Sequence, residues 1–122
     1  MTPLNVMIVD DSLLATRKME TMLTAMGHRV VRAVTSGTAA VQAYRDDNPD
    51  LVTMDITMPG MDGIEATRTI LAEFRDAKII MVTSHGQEDM VREALKAGAL
   101  GYFLKPVDAE KLAAHIARVI GR

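Results

Sequence analysis

Five short apolar runs alternate with stretches whose apolar residues recur every three or four positions. Val6-Met7-Ile8-Val9 is too short and too continuously apolar to be one face of a helix, so it predicts a buried parallel strand. The run from Asp50 to Asp55 and the run Ala77-Lys78-Ile79-Ile80-Met81-Val82 read the same way, and Leu100 to Leu104 makes a fifth strand. Arg29-Val30-Val31-Arg32-Ala33 is also strand-like, but its charged residues suit a sheet edge.

Between these runs the spacing is helical. Ser12 can cap a first helix carrying Ala15, Met19, Met22, Leu23 and Met26 on one side, with Gly27 as its stop. Ser36 or Thr35 starts a second helix from Gly37 to Tyr44. Asp62 caps a third, with Glu65 placed as a capping-box partner and Ile64, Ala66, Thr67, Ile70, Leu71 and Phe74 facing a core. A fourth runs from about Gln87 to Lys96 with Met90, Val91, Ala94 and Leu95 on one side. Asp108 caps the last, which turns Leu112, Ala113, Ile116, Ala117 and Ile120 inward and places Arg118 and Arg122 near its negative end. Strand–helix alternation with short connections predicts a doubly wound α/β domain, a five-stranded parallel sheet with helices on both faces. No repeat or linker divides it, so residues 1–122 form one domain.

Composition narrows the chemistry. The chain has 122 residues, 48% of them hydrophobic, enough for a core without disulfides or structural metals. The absence of cysteine excludes thiolate and disulfide chemistry. Sixteen acidic against fourteen basic residues argue against nucleic acid or an anionic membrane as an obligatory partner. No run reaches the roughly 18 apolar residues of a membrane span, and the N-terminus lacks a basic-then-apolar leader, so a cytoplasmic protein is expected.

The strand ends carry the candidate site: Asp10-Asp11, Asp55, Thr83-Ser84 and Lys105 all fall where parallel strands leave the sheet. Each has an ordinary structural reading, as loop acid, turn former, helix cap or surface lysine. Together they face one crevice at the carboxyl edge, where open α/β sheets bind ligands. Three carboxylates in one place raise one another's pKa, and a hard divalent cation such as Mg²⁺ relieves that cost while bridging to phosphate oxygens. Lys105 and Thr83 add the cation and the hydroxyl that hold phosphoryl oxygens. His85, with only His28 and His115 elsewhere, makes no transition-metal cluster.

With these residues, the sequence resembles the receiver domain of two-component response regulators over essentially its full length, and most of all the stand-alone chemotaxis-type regulators. Met58-Pro59-Gly60-Met61-Asp62-Gly63 fits the family's loop after the phosphoacceptor. The resemblance implies a single receiver domain with the flavodoxin-like strand order 2-1-3-4-5. It makes Asp55 the phosphoacceptor, Asp10 and Asp11 the acidic pair, Thr83 the hydroxyl and Lys105 the lysine of the family. The Thr57 carbonyl then completes a site for Mg²⁺, which Mn²⁺ can replace, and the peptide bond before Pro106 is cis. The implied partners are a histidine kinase or histidine phosphotransfer protein and a downstream target such as a motor switch, phosphatase or relay protein. Catalysis is confined to the protein's own phosphorylation and dephosphorylation. Output is expected when Thr83 moves toward the phosphoryl group and Tyr102 swings in from an exposed rotamer, altering the surface of the fourth helix, fifth strand and fifth helix. Met90, Val91, Ala94, Leu95 and Tyr102 are candidates for a docking patch there, and several must also serve the core.

Two departures stand out: Val107 occupies a position where many relatives carry Phe, and Ser84 one where Ala or Gly is frequent. A phosphorelay intermediate and an isolated receiver of a transcriptional regulator fit the same motifs. A Mg²⁺-dependent small-molecule phosphatase fits less well, because Thr57 stands where a second acid/base Asp is needed. A flavin carrier fits poorly, since Asp10-Asp11-Ser12 is acidic where a phosphate loop offers glycines and free N–H groups.

Overall fold

The computed structural model describes residues 2–121. Its elements follow in strict alternation: β1 (Asn5–Val9), α1 (Leu13–Ala25), β2 (Arg29–Val34), α2 (Gly37–Asp47), β3 (Leu51–Met54), α3 (Gly63–Glu73), β4 (Ile79–Thr83), α4 (Glu88–Lys96), β5 (Tyr102–Leu104) and α5 (Ala109–Ile120). The strands form one parallel sheet in the order β2-β1-β3-β4-β5.

Alternate side chains of a strand point to opposite faces, which explains why the central strands are mostly apolar on both faces, with Thr53 of β3 and Thr83 at the end of β4 buried among them. Met7 and Val9 join Val52, Met54, Ile79 and Met81 in a core under α2, α3 and α4. Val6 and Ile8 join Leu51, Ile80 and Val82 in a second core beneath Leu23 of α1 and Leu112 and Ile116 of α5. β2 is one of the two edge strands, and Arg29, Val31, Arg32 and Ala33 are all exposed on it.

Four helices begin as their sequences require. Ser12, Ser36, Asp62 and Asp108 each accept a hydrogen bond from the backbone N–H three residues on, at 3.2, 3.1, 2.9 and 3.1 Å. The capping box at α3 is incomplete, because the Glu65 carboxylate turns to Arg68 at 3.3 Å. α2 runs to Asp47 and stops at Asn48, whose φ of 42° and following Pro49 end the helix. Asp50 lies just outside β3 and accepts from the Asn5 N–H at 2.8 Å. In α5 the third inward residue is Val119, and Ala117 is exposed, while the expectation for Arg122 lies outside the described residues. α4 buries only Ala94 completely, and its start at Gln87 has no side-chain cap. An Arg68–Glu93 ion pair at 3.1 Å ties it to α3.

His28 is buried in the turn before β2, where its Nδ1 accepts the Leu4 N–H at 3.1 Å. Burial lowers its pKa from the ordinary 6.5, with the N-terminal charge adding to the effect. The unfolded chain therefore binds the proton more readily, so stability is complete above the ordinary value and falls as pH drops below it. Urea unfolding is expected to show a midpoint that declines between pH 7.5 and 5.5, by an amount markedly reduced in His28→Gln. An equal decline in both proteins would show that His28 is not the cause.

Candidate phosphoryl site

The sheet's own hydrogen bonds set the site. Beyond the last residues of the strands, the Asp10 N–H donates to Val34 O at 3.0 Å, Asp55 N–H to Val9 O at 2.8 Å, and Lys105 N–H to Thr83 O at 2.8 Å. These three residues thus continue the ladder by one step at its carboxyl edge. Their side chains meet there: Lys105 Nζ lies 2.7 Å from Asp10 Oδ2 and 3.6 Å from Asp55 Oδ2. Asp10 uses its other oxygen to accept the Ser12 N–H at 2.8 Å, and Asp55 Oδ1 accepts the Ile56 N–H at 2.8 Å.

Ligand oxygens of Asp10, Asp11 and Asp55 lie within 4.8 Å of one another, with Asp10 and Asp55 buried and Asp11 exposed. An all-oxygen set of three acids facing one lysine retains excess negative charge, and its donor chemistry fits a hard divalent cation. Burial raises the Asp55 carboxyl above its ordinary range, and the Asp10 charge raises it further. Lys105, the Ile56 N–H and the Thr83 hydroxyl pull it back.

Thr83 is fully buried at the end of β4, and its Oγ1 accepts the His85 N–H at 3.3 Å. It caps no helix, since α4 begins five residues later. Exposed Thr57 opens the loop after Asp55, and the Lys105–Pro106 peptide bond is cis. Ser84 and Val107 both line a cavity of about 450 Å³, with Asp10, Leu14, Met19 and Lys105.

One candidate for the output face is corrected. Ala94 is 0% exposed, so it anchors α4 to the core and presents nothing to a partner. Met90 and Val91 are half-buried, and Leu95 on α4 and Leu104 on β5 are the exposed apolar residues of this side, each at 51%. Tyr102 stands in an inward rotamer: its ring packs against the core and its hydroxyl donates to the His85 carbonyl at 2.6 Å. The hydrogen bond joins β5 to the β4–α4 loop across 17 positions of sequence, and no local pattern signals it. Gly63, whose place in the loop motif gives no sign of it, lies against the Asp55 main chain.

A parallel 2-1-3-4-5 sheet with carboxylates, a lysine and a hydroxyl gathered at its carboxyl edge defines a flavodoxin-like domain built to handle a phosphoryl group. The response regulator receiver domain model matches residues 6–117, and the chain belongs to that family. It is similar to the chemotaxis protein CheY of Treponema pallidum, with 40% identity over 97% of this chain and 83% of the relative. The chemotaxis protein CheY of Thermotoga maritima is 41% identical over 88% of this chain and 89% of the relative. Among solved structures, a CheX–CheY complex with beryllium fluoride and Mg²⁺ from Borrelia burgdorferi matches with a TM-score of 0.90 and 35% identity. That match covers 96% of this chain and 89% of the other.

Proposed function

We propose that Asp55 accepts a phosphoryl group from a phosphohistidine, and that the chain acts as a phosphorylation-dependent switch in a chemotaxis-like two-component system. The observation that carries the reading is the placement of Asp55 between a carboxylate pair and Lys105, on a ladder that fixes all three main chains. An Asp55 oxygen attacks phosphorus, the new P–O bond forms as the P–N bond to the donor breaks, and the electron pair leaves with the imidazole nitrogen, which is then protonated. Lys105 offers its ammonium to the transferred oxygens, and Thr83, whose Oγ1 accepts the His85 N–H, keeps its hydroxyl proton free to donate to them. Asp11, Asp55 and the Thr57 carbonyl would hold Mg²⁺, with Asp10 acting directly or through water. Bound there, the ion supplies charge neutralisation for the phosphoryl oxygens.

The proposed partners are a histidine kinase or phosphotransfer protein upstream and a target protein downstream. The Borrelia complex of CheY with CheX gives one precedent for a protein docked on such a receiver. Leu95, Leu104 and Tyr102 form the face on which a target would sense the state of the β4–α4 loop. Among the described residues, no helix is long and apolar enough to cross a membrane.

Acetyl phosphate with Mg²⁺ is expected to label the protein with one acid-stable, base-labile phosphoryl group, mapped to Asp55 by mass spectrometry. Asp11→Ala should weaken Mg²⁺ binding by at least about tenfold in calorimetry and slow labelling in parallel. Unchanged Mg²⁺ affinity in that variant would remove Asp11 from the metal site.

A further inference from the structure

We infer that Gly63 is a positioning residue for phosphoryl transfer: its missing side chain leaves the space in which the Asp55 main chain sits. The inference rests on the reading of Asp55 as nucleophile. Gly63 is not among the glycines with positive φ, so backbone freedom does not explain it. Close approach does. A Cβ built at Gly63 would overlap the Asp55 carbonyl oxygen, and it would lie 2.8 Å from the Asp55 carbonyl carbon and 3.0 Å from Ile56 Cα. Carbon atoms in contact normally stand about 3.5–4.0 Å apart, so one side of this junction must yield.

The helix side is the harder to move. Gly63 N–H donates to Ile56 O at 2.8 Å, closing the loop on itself, and Gly63 O accepts from the fully buried Thr67 hydroxyl at 2.8 Å. Asp62 immediately before it caps α3 through the Glu65 N–H. On the other side, Asp55 is held by its N–H bond to Val9 O. Asp55 is therefore gripped between β1 and the first turn of α3, and an added methyl group would tilt its carboxylate away from Lys105 and Asp11. Displacements on the order of 1 Å at a reacting group cost roughly 100-fold in rate.

Gly60, in the same loop, is the matched control. Its φ of +73° makes alanine strained there, yet a Cβ would meet nothing within 4 Å. Gly60→Ala thus stresses the loop without pressing on Asp55.

The test compares wild type, Gly60→Ala and Gly63→Ala by saturating labelling rate with acetyl phosphate and Mg²⁺, by Mg²⁺ affinity, and by the carboxyl ¹³C shift of Asp55. Gly60→Ala should lose stability in urea but label within about threefold of wild type. Gly63→Ala should label roughly 100-fold more slowly at saturating donor, with a displaced Asp55 shift and weaker Mg²⁺ binding. Should Gly63→Ala be unfolded in buffer, the same readings are taken in enough trimethylamine N-oxide to restore its far-ultraviolet spectrum, against wild type in the same solvent. A folded Gly63→Ala with wild-type rate and Asp55 shift overturns the inference, as does an equal defect in Gly60→Ala. A wild type that stays unlabelled overturns the nucleophile reading instead, and the Asp55 shift and Mg²⁺ affinity of the two variants still decide whether Gly63 places that carboxylate.

Discussion

Replacing Asp55 with asparagine is expected to abolish phosphoryl uptake while making the protein harder to unfold. The loss of uptake follows from chemistry, because an amide oxygen is a poor nucleophile and cannot form the acyl phosphate. The gain in stability follows from the surroundings. Asp55 is 7% exposed, and both burial and the neighbouring Asp10 disfavour its charge in the folded state. A carboxyl with a raised folded-state pKa weakens folding as pH rises from the ordinary carboxylate range through the raised value, and asparagine escapes that loss. At neutral pH without divalent cations, the urea midpoint of Asp55→Asn should lie above that of wild type. The two curves should converge in acid, where Asp55 is protonated in both folded and unfolded states. Mg²⁺ should raise the wild-type midpoint more than the mutant one, since it neutralises the charge the mutation removes. Stoichiometric labelling of Asp55→Asn would end the assignment of the nucleophile, and a midpoint below wild type would show that Lys105 outweighs burial and repulsion together.

Lys105→Met should have the opposite effect on stability. The ammonium is the one cation within 4 Å of Asp10 and Asp55 among the described residues, and its removal leaves two buried carboxylates facing each other. Breaking a buried ion pair by deleting one partner costs about 3–5 kcal/mol, and the partial solvation of Lys105 places the expected loss near the lower end. Much of it should return in Mg²⁺, which restores positive charge. Labelling by acetyl phosphate should slow by about 100- to 1000-fold, the usual cost of losing one preorganised group at a developing charge. Urea titrations with and without Mg²⁺ measure the first effect and stopped-time labelling the second. A Lys105→Met protein as stable as wild type without Mg²⁺ would mean that the lysine does not offset the charge of Asp10 and Asp55.

These two outcomes also indicate how far the chain could be read before it was folded. Continuous apolar runs such as Val6–Val9 identified the central strands because a doubly covered parallel strand needs apolar residues on both faces. Ser12, Asp62 and Asp108 marked helix starts because their side chains satisfy free backbone N–H groups, a local interaction that local sequence reports. Asp10, Asp55 and Lys105 were legible for a related reason: in a parallel sheet, position at a strand's end is already a coordinate in space.

What was not legible depends on contacts between distant segments. Ala94 and Leu95 are neighbours in sequence about 100° apart on the helix, and only the packing of α4 shows that the small residue is buried and the large one exposed. Glu65 had the spacing of a capping box, but Arg68, itself bridging to Glu93, drew it away. The inward pose of Tyr102 depends on a carbonyl in another loop, and the role of Gly63 depends on an atom that is not there.

The light anchoring of α4 has a consequence for how the molecule opens. With Ala94 as its only fully buried residue, no side-chain cap and an ion pair of exposed groups to α3, this helix has fewer means of resisting local unfolding than the other four. Its amides should exchange with solvent through openings far smaller than those that release β1, β3 and β4. The segment coupled to the phosphoryl site through His85 is therefore also a separate, low-stability unit, which can rearrange while the sheet carrying Asp55 stays intact.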